Sequence, residues 1–172
     1  MGRDKALLPF RGGVLVEAVA RAVQQAAGNA ALVGAAGQYG DLGYPVIPDI
    51  YPGEGPLGGI LTALRNTTAD WNLVVACDMP GIAAEFLGGL LEAAERSGAD
   101  ALVPSGPSGL TEPLCAVYHR RSREALQEAF GRGVRKVMAA CGEIRVARFA
   151  VTEVALFHNV NTPEDWAGYV AE

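Results

Sequence analysis

In the run Val74-Val75-Ala76-Cys77-Asp78-Met79-Pro80 a carboxylate directly follows an apolar, strand-like stretch, and Pro80 ends that stretch and fixes the turn that presents the acid. Aspartate is a hard oxygen ligand suited to Mg²⁺, an ion that takes one or two protein carboxylates and fills its other positions with water and substrate phosphate. Alternatively, Asp78 only caps the next turn. A second acid, Asp49, stands near the front of Pro48-Asp49-Ile50-Tyr51-Pro52-Gly53-Glu54-Gly55-Pro56-Leu57-Gly58-Gly59, a strand end, a glycine-rich loop and then a helix. Glycines let a backbone approach a ligand, and a helix start offers free N–H groups. If Asp49 ends its own strand it can face the same cleft as Asp78, with Gly55 and Gly59 along the wall. The alternative is a plain surface loop whose Gly58 and Gly59 permit close helix packing.

Two further stretches carry usable groups. At the start, Gly2 and Lys5 can bring backbone donors and a cation to a triphosphate while Leu7, Leu8 and Phe10 anchor the segment, although an isolated lysine is far more often simply solvated. Near the end, Phe157-His158-Asn159-Val160-Asn161-Thr162-Pro163 places two amides two residues apart, hence on one face of an extended chain. Amides donate and accept, which suits a polar heterocycle. Asn161 can equally be a turn residue before a helix cap. His119 and His158 have no serine, cysteine or carboxylate partner at a telling spacing, so neither is assigned to catalysis.

Positioning these groups requires strands that end at one edge. Short apolar runs alternate with longer amphipathic segments, the pattern of strands alternating with helices around a mostly parallel sheet. Strands are expected at Ala31–Gly34, Pro45–Pro48, Leu73–Cys77, Ala101–Val103, Pro113–Tyr118 and Arg145–Phe149, with Leu73–Cys77 the best central strand because it is apolar on both faces. Helices are expected at Leu15–Ala27, Leu57–Asn66, Ala84–Ser97, Arg121–Phe130, Val134–Ala140 and Glu164–Val170. Thr162, Pro163, Glu164 and Asp165 mark the start of the last one, and Gly28, Gly98 and Gly131 stand where a left-handed terminating residue is wanted. The expected fold is a three-layer α/β domain of Rossmann type, in which ligands bind beyond the carboxyl ends of strands.

Composition narrows the classes. The 172 residues suit one domain with a sizeable core. No stretch approaches the ~20 apolar residues of a membrane span, and no basic region followed by an apolar one begins the chain, so a cytoplasmic protein is expected. Net charge is −5 and the basic residues are scattered apart from Arg120, Arg121 and Arg123, which argues against a nucleic-acid surface. Cys77, Cys115 and Cys141 are far apart, so neither a disulfide framework nor a zinc site is indicated; buried thiols are expected.

Taken in order, GRDKALLPF, PD followed by GEGPLGG, VVACDMP, TEPLCAVYH and FHNVNTPEDW resemble the molybdenum cofactor guanylyltransferase family over nearly the whole chain. CDMP together with NVNTPEDW is fairly specific, whereas DKALLPF would fit many nucleotidyltransferases. The resemblance implies that GTP and molybdopterin carrying molybdenum are joined into the guanine dinucleotide cofactor with release of pyrophosphate. It implies that Lys5 and Gly2 meet the nucleotide's phosphates, that Asp49 helps hold the guanosine, that Gly55 and Gly59 line the cleft, and that Asp78 binds Mg²⁺. Asn159 and Asn161 would stand on the molybdopterin side with Glu112 and Pro113 beside them, and an acceptor molybdoenzyme is a further implied partner.

Two departures from the family pattern follow. The family places a short apolar strand and a loop of the form L-A-G-G-x-S-x-R ahead of M-G-x-D-K, so residues 1–172 are expected to be a single nucleotidyltransferase domain truncated at its N-terminus, marginal in stability and weak in GTP binding. Val33-Gly34-Ala35-Ala36 carries small residues where the family often has a polar nucleotide contact. Rivals are a CTP-dependent molybdopterin enzyme, a sugar-phosphate nucleotidyltransferase, and a non-catalytic molybdopterin-binding module.

Overall fold

Helix α1 (Leu15–Ala27) forms because Leu15, Val16, Val19 and Ala20 recur on one face and are buried there. Glu17 reaches back to accept the Val14 N–H at 2.8 Å, and Gly28 ends the helix at φ 78°. Helix α2 (Ala36–Tyr39) is one short turn. Helix α3 (Pro56–Arg65) starts on a proline, whose missing donor costs nothing there, and buries Leu57, Ile60, Leu61 and Leu64. Helix α4 (Ala84–Ser97) buries Leu87, Leu90 and Ala94 and stops at Gly98, φ 65°. Helices α5 (Arg123–Gly131) and α6 (Val137–Ala140) complete the set in the computed structural model, which describes residues 4–107 and 109–152.

The strands are β1 (Pro9–Phe10), β2 (Gly13–Val14), β3 (Leu32–Gly34), β4 (Val46–Pro48), β5 (Trp71–Val75), β6 (Ala101–Ser105), β7 (Cys115–His119) and β8 (Val146–Ala150). β1 and β2 make a hairpin closed by Arg11 and Gly12, both at positive φ. β3 and β4 pair in parallel, and β5, β7, β6 and β8 form a four-stranded sheet in that order. β7 runs antiparallel to β5 and β6, while β6 and β8 are parallel. Side chains alternate across the sheet. Ala101, Val103, Ala116 and Tyr118 pack with α3, α5 and α6, whereas Leu102, Cys115 and Val117 pack with α1 and α4. Helices therefore cover both faces, which is the three-layer α/β arrangement expected.

Between the outer edges of β3 and β5 lies an apolar slot. A cavity of about 330 Å³ runs beside Leu32, Val33 and Leu73–Cys77, with Val19 of α1 and Ile60 of α3 among its walls. A second cavity continues it past Ala30, Ala31, Trp71 and Asn72. Within the four-stranded sheet β7 is the reversed strand, and β5, β6 and β8 run the same way. The slot also corrects an expectation: β5 is half-buried along its length, and the strands buried on both faces are β6 and β7.

Boundaries shift in places. The expected Arg121–Phe130 helix begins at Arg123 after a single tight turn, Arg120–Ser122, closed by Ser122 Oγ donating to the His119 carbonyl. Gly131 is the last residue of α5, and the left-handed position is Gly133, φ 89°, so α6 is shorter than Val134–Ala140. Cys115 and Cys141 are buried as expected, whereas Cys77 is half-buried. Gly2, His158, Asn159, Asn161 and the helix expected at Glu164–Val170 lie outside the described residues. Among those described, no helix is long and apolar enough to cross a membrane.

Candidate functional site

Leu32 and Val33 of β3 and the end of β5 meet the start of α3 and the Lys5 turn around one cavity, whose wall includes Ala6, Tyr39, Pro56, Gly59 and Cys77. Lys5 opens a single tight turn, Lys5–Leu7, capped by Asp4 Oδ1, which accepts the Ala6 N–H at 3.1 Å. Ala6 is buried against Val16, Ala20 and Leu32, so the turn is anchored in the core beside α1. The Cys77 thiol is pushed up to about 11 by burial first, then by the Asp78 and Asp4 carboxylates, with Lys5 opposing them. One sulfur thus senses Lys5, Asp4 and Asp78 together. The lysine and the acid that are 73 positions apart in sequence share a neighbourhood in space.

Asp78 follows β5 by a short turn and its Oδ1 is buried with no hydrogen-bond partner among the described residues. The antiparallel pairing of β5 with β7 explains what stands opposite. Val75 pairs with Cys115, the Ala76 N–H donates to the Leu114 carbonyl at 2.6 Å, and counting on brings Asp78 to the level of Glu112. Burial pushes the Glu112 carboxyl up; the Leu114 N–H bonded to Oε1 at 3.3 Å opposes that, and the Asp78 charge adds to it. The Pro113 carbonyl accepts the Tyr118 hydroxyl at 2.8 Å, which fixes the entry to β7.

Asp49 sits one residue beyond β4, and its carboxylate is turned toward α3. Oδ1 accepts the Tyr51 N–H at 2.9 Å and the Thr62 hydroxyl at 3.0 Å, while Thr62 Oγ1 accepts the Ile50 N–H at 3.2 Å. Asp49 therefore ties the glycine-rich loop to the helix that follows it, and it is not among the residues around the cavity that Gly59 and Cys77 share. The glycines of that loop divide the work. Gly55 precedes α3 at φ 84°, Gly58 is pressed on Tyr51 so that a Cβ would fall 2.8 Å from the tyrosine's own, and Gly59 faces open space at the cavity.

Thr62, Tyr39 and Asp4 went unnoticed in the sequence. Thr62 looks like one polar residue on a helix, and only its complete burial reveals a role. Asp4 carried a weak signal as the neighbour of Lys5, and Tyr39 carried none. Among the described residues no group of three or more His, Cys, Asp or Glu is placed to hold a metal ion. A cation at this edge would rest on one or two carboxylates, which is the Mg²⁺ habit.

Helices on both faces of the sheet define a three-layer α/β domain, and the matches to known proteins place it in the nucleotidyltransferase class. Within that class, the model of the MobA-like NTP transferase domain matches residues 1–146, and the chain belongs to this family. The probable molybdenum cofactor guanylyltransferase of Pelotomaculum thermopropionicum is 36% identical over 174 residues, covering 96% of this chain and 83% of that one. A relative of the same description from Clostridium perfringens is 29% identical over 176 residues, covering 95% and 86%. The crystal structure of molybdopterin-guanine dinucleotide biosynthesis protein A from Archaeoglobus fulgidus superposes with a TM-score of 0.82 at 28% identity, covering 98% of this chain and 89% of that one.

Proposed function

We propose that the protein transfers GMP from GTP to molybdopterin carrying molybdenum, forming the guanine dinucleotide cofactor and releasing pyrophosphate for delivery of the product to an acceptor molybdoenzyme. The observation that carries this reading is the buried Asp78 Oδ1 just past β5, without a hydrogen-bond partner among the described residues and within electrostatic reach of the same sulfur as Lys5. A buried carboxylate oxygen lacking a donor fits a hard divalent cation, so Mg²⁺ suits this position and Asp78 would hold it. When bound, the cation supplies positive charge against the triphosphate.

The chain's own groups do the rest. Lys5 neutralises charge developing on the phosphates, and Gly2 brings a backbone donor to them. The N-terminal end of α3, behind Gly55 and Pro56, adds its dipole on the phosphate side on this reading, and Gly59 has no atom against its Cα face. Asp49 holds the guanosine loop through Tyr51 and Thr62. Asn159 and Asn161 bind molybdopterin on this reading, and Glu112 and Pro113 contribute to the same side. A pterin phosphate oxygen attacks the α-phosphorus, the bond to the β-phosphate breaks, and pyrophosphate leaves, with no covalent enzyme intermediate. Residues 1–172 form one domain on this reading, and the slot between β3 and β5 has room for a further strand.

Product analysis with molybdopterin, Mg²⁺ and either GTP or CTP tests the proposal. Guanine dinucleotide from GTP is expected, with turnover falling on the order of 10³-fold in Asp78→Ala. Preference for CTP would move the activity to the cytidylyl rival, and no product from either nucleotide with the unmutated protein, together with molybdopterin binding that survives Asp78→Ala, would leave a carrier.

A further inference from the structure

β3 ends on Gly34 and is followed by Ala35 and Ala36, with no polar side chain to offer a nucleotide. The structure shows what the small residue at 34 permits. A Cβ there would lie 2.5 Å from Cε2 and 2.9 Å from Cδ2 of Tyr39, so the tyrosine ring rests directly on the glycine. From that seat the Tyr39 hydroxyl donates to Asp4 Oδ2, and Gln38 Nε2 donates to the same oxygen at 2.5 Å. Asp4 Oδ1 meanwhile accepts the Ala6 N–H at 3.1 Å and closes the turn that begins at Lys5. Each carboxylate oxygen thus has its own task, one joined to α2 and the other to the Lys5 turn. Burial, with Asp4 adding to it, pushes the Tyr39 phenol up, which keeps it a proton donor at every working pH.

We propose that Gly34, Tyr39, Gln38 and Asp4 form a clasp that positions Lys5 against the phosphates of the bound nucleotide. The edge of β3 contributes to the phosphate side by proxy, holding the lysine's turn instead of touching the ligand. A helix of one turn has little stability of its own, so α2 keeps its place through these side-chain bonds and through packing on β3 and β4. Tyr39 and Gln38 are positioning residues, acting through Asp4. The proposal rests on Lys5 meeting the triphosphate.

The test pairs Tyr39→Phe with Lys5→Ala in a double-mutant cycle read by calorimetric titration of GTP with Mg²⁺, alongside hydrogen exchange at Ala6, Leu7 and Leu8, which needs no nucleotide. Tyr39→Phe is expected to weaken GTP binding about tenfold, the size of one hydrogen bond to a charged group, and to add nothing once Lys5 is gone. Amides of Ala6–Leu8 are expected to exchange about tenfold faster in Tyr39→Phe while those of β6 and β7 are unchanged. Gly34→Ala, which drives a methyl into the ring, should reproduce both results. Additive losses in the cycle, or unchanged exchange at Ala6–Leu8, would overturn the clasp even where Lys5→Ala weakens GTP. A Lys5→Ala variant that binds GTP normally instead removes the phosphate role of Lys5, and the clasp's purpose with it.

Discussion

Replacing Thr62 by valine isolates the tie between the glycine-rich loop and α3, because the shape of the side chain is retained and only its hydroxyl is lost. Thr62 is 0% exposed, and its Oγ1 both donates to Asp49 Oδ1 at 3.0 Å and accepts from the Ile50 N–H at 3.2 Å. The valine methyl can do neither. A buried donor left without a partner costs ~1–3 kcal/mol, and the Ile50 amide falls at the lower end because its residue is 44% exposed and water reaches it. Asp49 keeps the Tyr51 N–H at 2.9 Å and is itself only half-buried, so the loss on that side is about 1 kcal/mol. Threonine and valine have similar helix propensities, which adds nothing further. The sum is about 2 kcal/mol, and at this chain length each kcal/mol lowers the melting temperature by ~2–4 °C, giving a fall of roughly 4–8 °C. Thermal unfolding followed by circular dichroism, checked by urea titration, measures it; the KM for GTP should rise in the same variant because the loop is loosened. A melting temperature within about 1 °C of the parent, well below that range, would show that Asp49 and Thr62 do not hold this loop.

Acid sensitivity should trace to Asp100, which receives Arg121 Nε at 2.6 Å and Arg145 Nη2 at 3.2 Å. The Arg145 guanidinium, helped by Arg121 and opposed by burial, holds its carboxyl well below the usual carboxylate range. A group depressed in this way stabilises the fold above its unfolded pKa of ~3.9 and loses that contribution as pH falls further. Asp100→Asn should therefore cost most stability at neutral pH and progressively less as pH falls below ~3.9 toward the depressed folded-state value, and an equal cost at pH ~7 and pH ~2, by urea titration, would contradict the assignment. The thiols should be sluggish, since burial pushes Cys77 and Cys141 up to about 11 and Cys115 up to about 12. At pH ~8 a thiol with pKa 11 is ionised on the order of 10²-fold less than an ordinary one, so a fast-reacting cysteine in Ellman's assay of the native protein would be unexpected.

Helices α1 and α4 could be bounded to the residue from the sequence because each ends on a glycine at positive φ and carries a clean apolar face. Gly131 misled because Gly133, two residues on, takes the left-handed turn instead, with the Gly133 N–H donating to the Phe130 carbonyl at 3.0 Å and the Val134 N–H to the Ala129 carbonyl at 3.1 Å. Asp78 was legible as the acid after an apolar strand. Its neighbour Glu112 was visible only as a residue of a motif, since their approach depends on β7 running against β5, and no local pattern states strand direction. The same limit hid the clasp: Tyr39 and Asp4 are 35 positions apart, and the glycine that seats the ring looks like any other small residue after a strand. Asp49 was read as a cleft acid from its place after β4, whereas its bonds to Tyr51 and Thr62 depend on how α3 folds back.

Among the described residues the facing edges of β3 and β5 have no strand paired to them, and this has a consequence for handling the protein. Two rows of backbone donors and acceptors facing one another across an oily gap will accept any stretch of chain that lies straight and greasy, including one from a neighbour that has not finished folding. Recovery on renaturation should accordingly drop as the protein is made more concentrated, with clumping setting the ceiling on yield.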